Sequence, residues 1–359
     1  MSADGYGNSS MGERGIMTTR QIGRRGILTA GAALAGTSAF AGRASAQTKD
    51  FVVGAFPGLY ERRLQEFIIP EFQTRQNVKV KTEGGTGTNF VQKTLAARNR
   101  PVYHVFYLNE DEALVGEQAN LFAPMDMSKV PNFADVYSMM RPPAISLYPC
   151  ILYEFSLVYN PKKMKTPTSW TDLWQKGITV GVAHPSAAYG IYMLLIAAQM
   201  NGGGESDLAK GFPQLKKLDN MKIHRGINEG FQMLQREEID ATLFYTFRAQ
   251  MLIDAGQPWA FTIPKEGTWL QRSGVQIPKT SPDLDLSYAW ANMVMGPQYQ
   301  EKFLADFYGP SNGKTVIPKD LAAKIPHGEE QMKKYHVGNW AIINPQKPAL
   351  LERWNKEFT

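Results

Sequence analysis

The stretch ITVGVAHPSAAYGIYMLLIAAQMNGGG, residues 178–204, contains three structural signals in succession. Residues 178–182 alternate β-branched with small or polar side chains, a pattern that predicts a β-strand. Pro185 ends that pattern, and Ser186 is predicted to cap the N-terminus of a helix. Helix-forming residues continue to Met200, where an asparagine and three glycines end the helix. The stretch therefore predicts a strand–turn–helix unit of an α/β fold.

The predicted helix begins at the carboxyl end of its strand, which is the edge at which α/β sheets bind ligands. A helix N-terminus there presents free backbone N–H groups and a partial positive charge, which suit an anion or a carbonyl oxygen. The N-terminus of this helix is therefore a candidate ligand site. The same stretch fits an ordinary strand–helix unit of the core, without a ligand, equally well. Other parts of the chain are needed to distinguish these two interpretations.

The composition is that of a soluble globular protein, with 43% hydrophobic and 20% charged residues in a chain of 359. This length is enough for two lobes with separate cores. The chain has 39 basic and 33 acidic residues; without the five arginines and two acids of residues 1–46, it has 34 (39 − 5) and 31 (33 − 2). A net charge near +3, with no basic run, favours neither a nucleic-acid nor a membrane partner.

Residues 1–46 are predicted to be a twin-arginine (Tat) export signal that is removed. The pair Arg24-Arg25 precedes a weakly apolar run, residues 26–41, and Ala-Ser-Ala at residues 44–46 is a small-residue cleavage site. The run is too short and too rich in glycine and alanine to cross a bilayer. No cysteine follows directly, so a lipid anchor is not expected, and we predict a free periplasmic protein.

Three strand–helix units in the first part of the exported chain indicate a parallel sheet. The second strand ends in a glycine-rich turn that contains Thr86 and Thr88 and opens a helix. Asn109 directly follows the third strand. These side chains are predicted to lie at the ligand edge of the sheet. The three strands are predicted at residues 51–55, 78–81 and 102–108.

Further along, the apolar segment Tyr148–Tyr159 (YPCILYEFSLVY) is predicted to be extended. The chain is predicted to cross from the first lobe to the second near this segment. A turn at residues 265–267 is a second place, at which the chain could cross back. Several further segments are distinctive in their order and spacing along the chain. They are SLVYNPKKM and TPTSWTDLW (within residues 156–174), the helix with its NGG stop (187–203), EIDATLFY (238–245), AGQPWAFTIPKEG (255–267), GPSNGKTVIP (309–318) and LERWNKEF (351–358).

In the order and spacing of these segments, the chain resembles the bacterial extracellular solute-binding proteins of the spermidine/putrescine-binding type, which serve ABC importers. The resemblance covers essentially the whole exported chain. It implies an α/β, type II periplasmic-binding-protein fold, in which two α/β lobes are joined by a hinge with a ligand cleft between them. Lobe 1 is expected at residues 47–150 and about 272–312, and lobe 2 at residues 151–271 and about 313–359.

The resemblance also implies a role and partners. The protein is expected to be a monomer that captures a small-molecule solute and docks transiently on an ABC permease in the inner membrane. No cofactor, metal or reaction is expected. A sensory binding protein that hands its ligand to a receptor has the same fold, so the sequence cannot separate it from a transport protein.

The polyamine-binding members of the family hold amines with Asp and Glu and stack methylene groups on aromatic rings. Here the rings are partly kept, because Phe56, Tyr60 and Tyr245 fall at or near aromatic positions of the family and Trp269 is a further ring. Ser273 stands where the family pattern has an aspartate, and the resemblance places Ser186, Ala187 and Tyr189 where the family has further acids, so Ser186, Tyr189 and Ser273 are expected to line the cleft. The resemblance therefore implies a cleft with aromatic walls but without the usual acids.

Where this chain differs from the family, the differences add positive charge to the expected cleft. Arg248 follows the Tyr245 strand, and Arg272 precedes Ser273. Two arginines and two helix N-termini suit a carboxylate, a phosphonate or a zwitterion, possibly with an aromatic or apolar body. A dication would need acidic partners. Polyamine binding stays the alternative if Glu110, Asp111 and Glu154 enter the cleft.

Two other classes of function have weaker support. Thiaminase is similar in fold and uses a cysteine nucleophile with an acid, which makes Cys150 and Glu154 the pair to consider. Cys150 lies in an apolar run, however, where a buried inert thiol is more common, and no GxSxG motif occurs. The densest possible metal cluster matches no metal-binding spacing and is expected to be a solvated loop; it consists of His327, Glu329, Glu330 and His336.

Overall fold

The computed structural model of the protein describes residues 49–142 and 145–358. The predicted export signal, residues 1–46, lies outside these residues. Within the described part, none of the helices has the length and apolar character needed to cross a lipid bilayer.

Ten strands form one mixed sheet, with the spatial order β2-β1-β3-β9-β4-β7-β5-β6; β10 pairs with β9, and β8 pairs with β4. β4 links the two halves of this sheet, because its residues 148–154 pair with β9 and residues 155–159 pair with β7. The strands are β1 Lys49–Ala55, β2 Val78–Gly84, β3 Val105–Asn109, β4 Tyr148–Tyr159, β5 Thr179–Ala183, β6 Asn220–His224, β7 Ala241–Tyr245, β8 Ala260–Thr262, β9 Thr268–Gln276 and β10 Tyr335–His336.

The predicted parallel sheet is confirmed only at the two ends of this order. β1 is parallel to both β2 and β3, and β5 is parallel to both β6 and β7. Between them, β9 and β4 are antiparallel to their neighbours. The sequence prediction missed β9 because its buried residues are a mixture of apolar, polar and charged side chains (TWLQRSGVQ), which gives neither an alternating pattern nor an apolar run.

Helices follow most strands, as the strand–helix pattern predicts. They are α1 Leu59–Arg63, α2 Ile69–Gln76, α3 Gly87–Ala97, α4 Glu110–Gln118, α5 Ala188–Met200, α6 Gly211–Leu215, α7 Ile227–Gln235, α8 Thr246–Asp254, α9 Leu284–Val294, α10 Pro297–Gln300, α11 Glu329–Met332, α12 Trp340–Ile343 and α13 Lys347–Phe358. A π-helical turn, Leu64–Ile68, joins α1 to α2.

The strand–turn–helix unit predicted at residues 178–204 is confirmed as β5 and α5. Every residue of α5 from Ala188 to Ala198 is buried, so this helix is apolar on all sides rather than amphipathic. It starts very close to the end of its strand, because a Cβ at Gly190 would lie 2.4 Å from the carbonyl oxygen of His184. α5 is therefore the central helix of the second half of the sheet.

The predicted cap of α5 is wrong. Ala187 is the N-cap residue and offers no side-chain hydrogen bond. The Ser186 hydroxyl instead lies 2.8 Å from Nδ1 of His184, two residues earlier. Because Pro185 leads the chain through a turn before the helix begins, the hydroxyl bonds to the turn and not to the first N–H groups of α5.

Candidate functional site

The carboxyl edge of β5, β6 and β7 carries three helix N-termini. α5, α7 and α8 follow these parallel strands directly, and none of the three has a side-chain cap. Their first-turn N–H groups therefore have no side-chain acceptor at the cap position. An arrangement of this kind attracts a negatively charged or strongly polar group.

The corresponding edge in the first half of the sheet is already occupied by the protein's own side chains. Thr86 and Asn89 form a capping box at the start of α3. The Glu112 carboxylate accepts hydrogen bonds from the backbone N–H and the hydroxyl of Thr88, at 2.9 and 3.0 Å, and from the N–H of Asn109 at 2.9 Å. Burial raises the pKa of Glu112 to about 7, and Asp111 adds to the shift. The three predicted contacts Thr86, Thr88 and Asn109 thus have internal partners.

Arg272, the first of the two predicted arginines, is also internally bonded. Its Nε donates to Glu110 at 2.5 Å, a second nitrogen donates to the other oxygen of the same carboxylate, and a third bond of 2.8 Å reaches the carbonyl of Met139. The two side chains are only 11% and 7% exposed. Burial raises the pKa of Glu110, and Arg272 opposes this shift. A buried bidentate pair of this kind leaves little of the charge of Arg272 for a ligand.

Ser273 lies next to this ion pair. It pairs with Asn109 across β9 and β3, and its hydroxyl donates to the Asn109 side-chain oxygen at 2.5 Å. The position where the family pattern has a carboxylate is therefore taken by a neutral hydrogen bond that joins two strands.

Arg248, the second predicted arginine, is in a different state. It lies in α8, and its guanidinium stacks on the rings of Phe231 and Phe247 at 5.1 and 5.3 Å. Its Nε is buried and has no hydrogen-bond partner among the described residues. Arg248 also lies close enough to Tyr153 to oppose the rise in pKa that burial causes there. A half-buried guanidinium that faces rings rather than a carboxylate can accept an anionic partner.

The predicted aromatic residues belong to one continuous set of rings, which includes Phe247 beside Arg248. Tyr245 contacts Tyr189 and Phe247 with ring centroids 5.1 and 5.6 Å apart. The set continues from Phe247 through Tyr308, Tyr60 and Phe56 at 4.8, 5.8 and 6.1 Å. Trp269 belongs to the same set at its other end, because its ring stacks on Tyr192 at 5.2 Å, and Phe155 links Tyr192 to Tyr245 at 5.5 and 4.6 Å.

The structure adds two polar residues that sequence reasoning did not place at the site. His224, at the end of β6, is fully buried and stacks on Tyr189 at 5.8 Å. Its Nδ1 lies 3.2 Å from the carbonyl of Gly226, so Nδ1 carries the proton; burial lowers the pKa of the ring, and Nε2 has no partner among the described residues. Gln271 accepts from the Tyr245 hydroxyl at 3.1 Å. A polar residue at the carboxyl end of a strand was the available signal for His224.

The acids that would support polyamine binding have internal partners as well. Lys347 contacts Asp111 at 2.6 Å, and Tyr335 donates to Glu154 at 3.0 Å. Burial raises the pKa of Glu154 to about 7. Together with the Glu110–Arg272 pair, these contacts involve all three acids.

Cys150 does not have the features of a nucleophile in this structure. Its side chain is buried, and burial raises the pKa of the thiol to about 12. The nearest polar contact is the Tyr60 hydroxyl, 3.8 Å from the sulfur. The thiol is therefore protonated at neutral pH, whereas the thiolate is the reactive form.

The cluster His327, Glu329 and Glu330 lines a shallow surface depression at the start of α11. In the part of the chain that the structure describes, no three His, Cys, Asp or Glu side chains come together as a metal site. A second depression, beside Lys93 and Arg100, likewise lies away from the predicted ligand residues.

Comparison with curated protein sequences finds no match. Among solved structures, an ABC transporter protein from Clostridium perfringens is 22% identical with a TM-score of 0.73, over 86% of this chain and 100% of that one. A periplasmic binding protein from A. tumefaciens R10 in complex with agropinic acid is 18% identical with a TM-score of 0.65, over 86% and 98%. A protein from Listeria monocytogenes described as a spermidine/putrescine ABC transporter is 16% identical with a TM-score of 0.70, over 87% and 100%.

These neighbours have the expected mixed α/β fold of periplasmic solute-binding proteins. The family itself is established by sequence, because residues 68–326 match the model of the bacterial extracellular solute-binding proteins, and the chain therefore belongs to that family.

Proposed function

We propose that the protein is the periplasmic solute receptor of an ABC importer and that its solute carries a carboxylate or phosphonate, either as a simple anion or as part of a zwitterion. The solute lies in the cleft between two lobes: residues 47–150 with about 272–312, and residues 151–271 with about 313–359. The protein is a monomer in this proposal, reaches the periplasm through a Tat signal and carries out no reaction of its own.

The observation that carries the ligand class is the state of Arg248. Its Nε is buried without a partner among the described residues, and its guanidinium lies over two phenyl rings. An arginine held in this way presents its remaining donors to a planar anion at little cost in side-chain entropy. The uncapped N-termini of α5, α7 and α8 at the same sheet edge add partial positive charge.

The contacts of the three candidate acids disfavour a polyamine as the solute. A buried ammonium needs a carboxylate that is free to pair with it. Glu110, Asp111 and Glu154 are each bonded to a residue of the protein itself, respectively Arg272, Lys347 and Tyr335. An ammonium that paired with one of these acids would therefore compete with a contact that the protein itself makes.

The structural neighbours support the fold's capacity for both ligand classes. One neighbour is in complex with an acid, agropinic acid, and another is described as a spermidine/putrescine transporter. The choice between an acid and a polyamine therefore depends on the residues of this chain, and Arg248 favours an acid.

A thermal-shift screen of the purified protein tests the proposal. The panel contains aliphatic and aromatic carboxylates, amino acids, phosphonates and the polyamines putrescine and spermidine. A ligand at about 100 times its Kd stabilises the folded state by about 2.7 kcal/mol, which is a readily measured shift. We expect shifts with acids or amino acids. Stabilisation by polyamines alone would overturn the ligand class while leaving the receptor role in place.

A further inference from the structure

A buried junction joins α4 to the start of the C-terminal helix α13. The Lys347 ammonium lies 2.6 Å from Oδ2 of Asp111, and the two side chains are 20% and 7% exposed. The Asn344 side-chain amide donates to the backbone carbonyl of the same Asp111 at 2.8 Å. Lys347 also lies over the ring of Trp340, 5.0 Å from its centroid. Three residues of the C-terminal segment thus converge on or beside one residue of α4.

The two sides of this junction belong to different halves of the sheet. Asp111 is in the first turn of α4, which directly follows β3 in the first half. α13 packs on the second half, where the Trp354 ring contacts His184 and Phe212 at 5.8 and 6.1 Å. An ion pair of 2.8 Å between Lys216 and Glu357 fixes its far end there. The contacts of Asp111 with Lys347 and Asn344 therefore bridge the two halves.

The junction is incompletely bonded. Oδ1 of Asp111 and Oδ1 of Asn344 are both buried without a partner among the described residues. A buried ion pair has to offset the loss of hydration of both charges, and an oxygen without a hydrogen bond makes this compensation incomplete. We therefore expect the contact to add little net stability, which would allow it to break and re-form.

We propose that Asp111, Lys347 and Asn344 form a latch that holds the two halves closed when no solute is bound. This inference rests on the proposed two-lobe receptor. The latch shifts the equilibrium between open and closed forms toward the closed one before a ligand arrives. Solute must then enter through the fraction of molecules in which the Lys347–Asp111 contact is broken, so the latch sets how readily the cleft opens.

The test measures the distance between the two halves without any ligand. Spin labels are attached to cysteines introduced at exposed positions of the outer strands, Lys79→Cys in β2 and Asn220→Cys in β6, and pulsed electron paramagnetic resonance gives the distance distribution. Lys347→Met removes the charge but keeps an unbranched side chain over Trp340. We expect the open-to-closed ratio to rise about tenfold in this variant, within the range typical of such couplings.

Two further variants make the result decisive. Lys347→Met leaves a buried carboxylate without its cation, which can unfold the protein, so the double variant Asp111→Asn/Lys347→Met removes both charges and should open in the same way. Lys216→Met breaks the Lys216–Glu357 pair, which lies within the second half, and should leave the distances unchanged. Wild-type distances in a folded double variant would overturn the latch. Because no solute is present, that outcome is separate from a failure of the ligand screen.

Discussion

The guanidinium of Arg272 and the carboxylate of Glu110 form a buried bidentate ion pair between β9 and the first turn of α4. This pair distinguishes Arg272 from Arg248, although the sequence alone predicts the same ligand-binding role for both. Arg272 neutralises an acid of the protein, whereas Arg248 stacks on rings and keeps a buried Nε without a partner among the described residues. The first arginine is thus expected to contribute to stability, and the second to ligand binding.

Replacing Arg248 by methionine is expected to weaken solute binding by about 10- to 100-fold, since a hydrogen bond to a charged group contributes about 1.5–3 kcal/mol. Methionine keeps apolar contact with Phe231 and Phe247, so the melting temperature should change little. Isothermal titration with the acid that gives the largest thermal shift measures the effect. Arg248→Lys, which keeps the charge but loses the planar fork, should bind with intermediate affinity. Unchanged affinity in both variants would remove Arg248 from the site.

Replacing Arg272 by methionine is expected to lower the free energy of unfolding by about 3–5 kcal/mol, because Glu110 stays buried without its cation. The double variant Glu110→Gln/Arg272→Met should recover much of that loss, since no uncompensated charge remains. Urea unfolding of the single and double variants measures both values. If the double variant is as unstable as Arg272→Met, burial of the unpaired carboxylate is not the cause.

This contrast shows how far the sequence could predict the site. Arg248 follows the end of β7, whereas Arg272 lies within β9, and residue order alone treats both as possible ligand contacts. Glu110 meets Arg272 only because β3 and β9 are neighbours, with Asn109 opposite Ser273, a pairing between residues more than 160 positions apart. β9 itself was not predicted. Local signals were sufficient for β4, β5 and α5, whose apolar runs and turn residues determine their structure without distant partners.

The contribution of Glu154 to the stability of the protein is expected to fall as the pH rises from about 4.5 to about 7. Burial raises the pKa of Glu154 from 4.5 to about 7, so the folded state holds a proton that the unfolded state has released in this range. The stabilisation is complete below the unfolded pKa and is lost as the pH passes the folded one, with a total of about 3 kcal/mol. Glu112 is shifted in the same direction. Burial lowers the pKa of His104 to about 4 and also lowers that of His224, so these two histidines contribute a slope of the opposite sign up to their unfolded pKa of about 6.5.

Chemical denaturation between pH 4.5 and 8 measures this dependence. In Glu154→Gln the contribution of residue 154 should no longer depend on pH, because glutamine stays neutral, so the variant should gain stability relative to the wild type as the pH rises and should be the more stable protein at pH 8. The contribution of Glu112 should remain in this variant. A slope that is identical in both proteins would mean that Glu154 does not hold its proton in the folded state.

The close approach of α5 to its strand leads to a prediction for Gly190. A Cβ at this position would lie 2.4 Å from the carbonyl oxygen of His184 and 2.7 Å from that of Ala183, and neither backbone atom can rotate away. Gly190→Ala should therefore lower the free energy of unfolding by about 1–3 kcal/mol, the usual cost of overpacking, although alanine is the better helix former. Gly204→Ala is the matched control, because no heavy atom outside its chain neighbours lies within 4 Å of a Cβ there. Since the first turn of α5 also positions Tyr189, Gly190→Ala should weaken solute binding as well, whereas equal stability of the two variants would contradict the tight contact between α5 and β5.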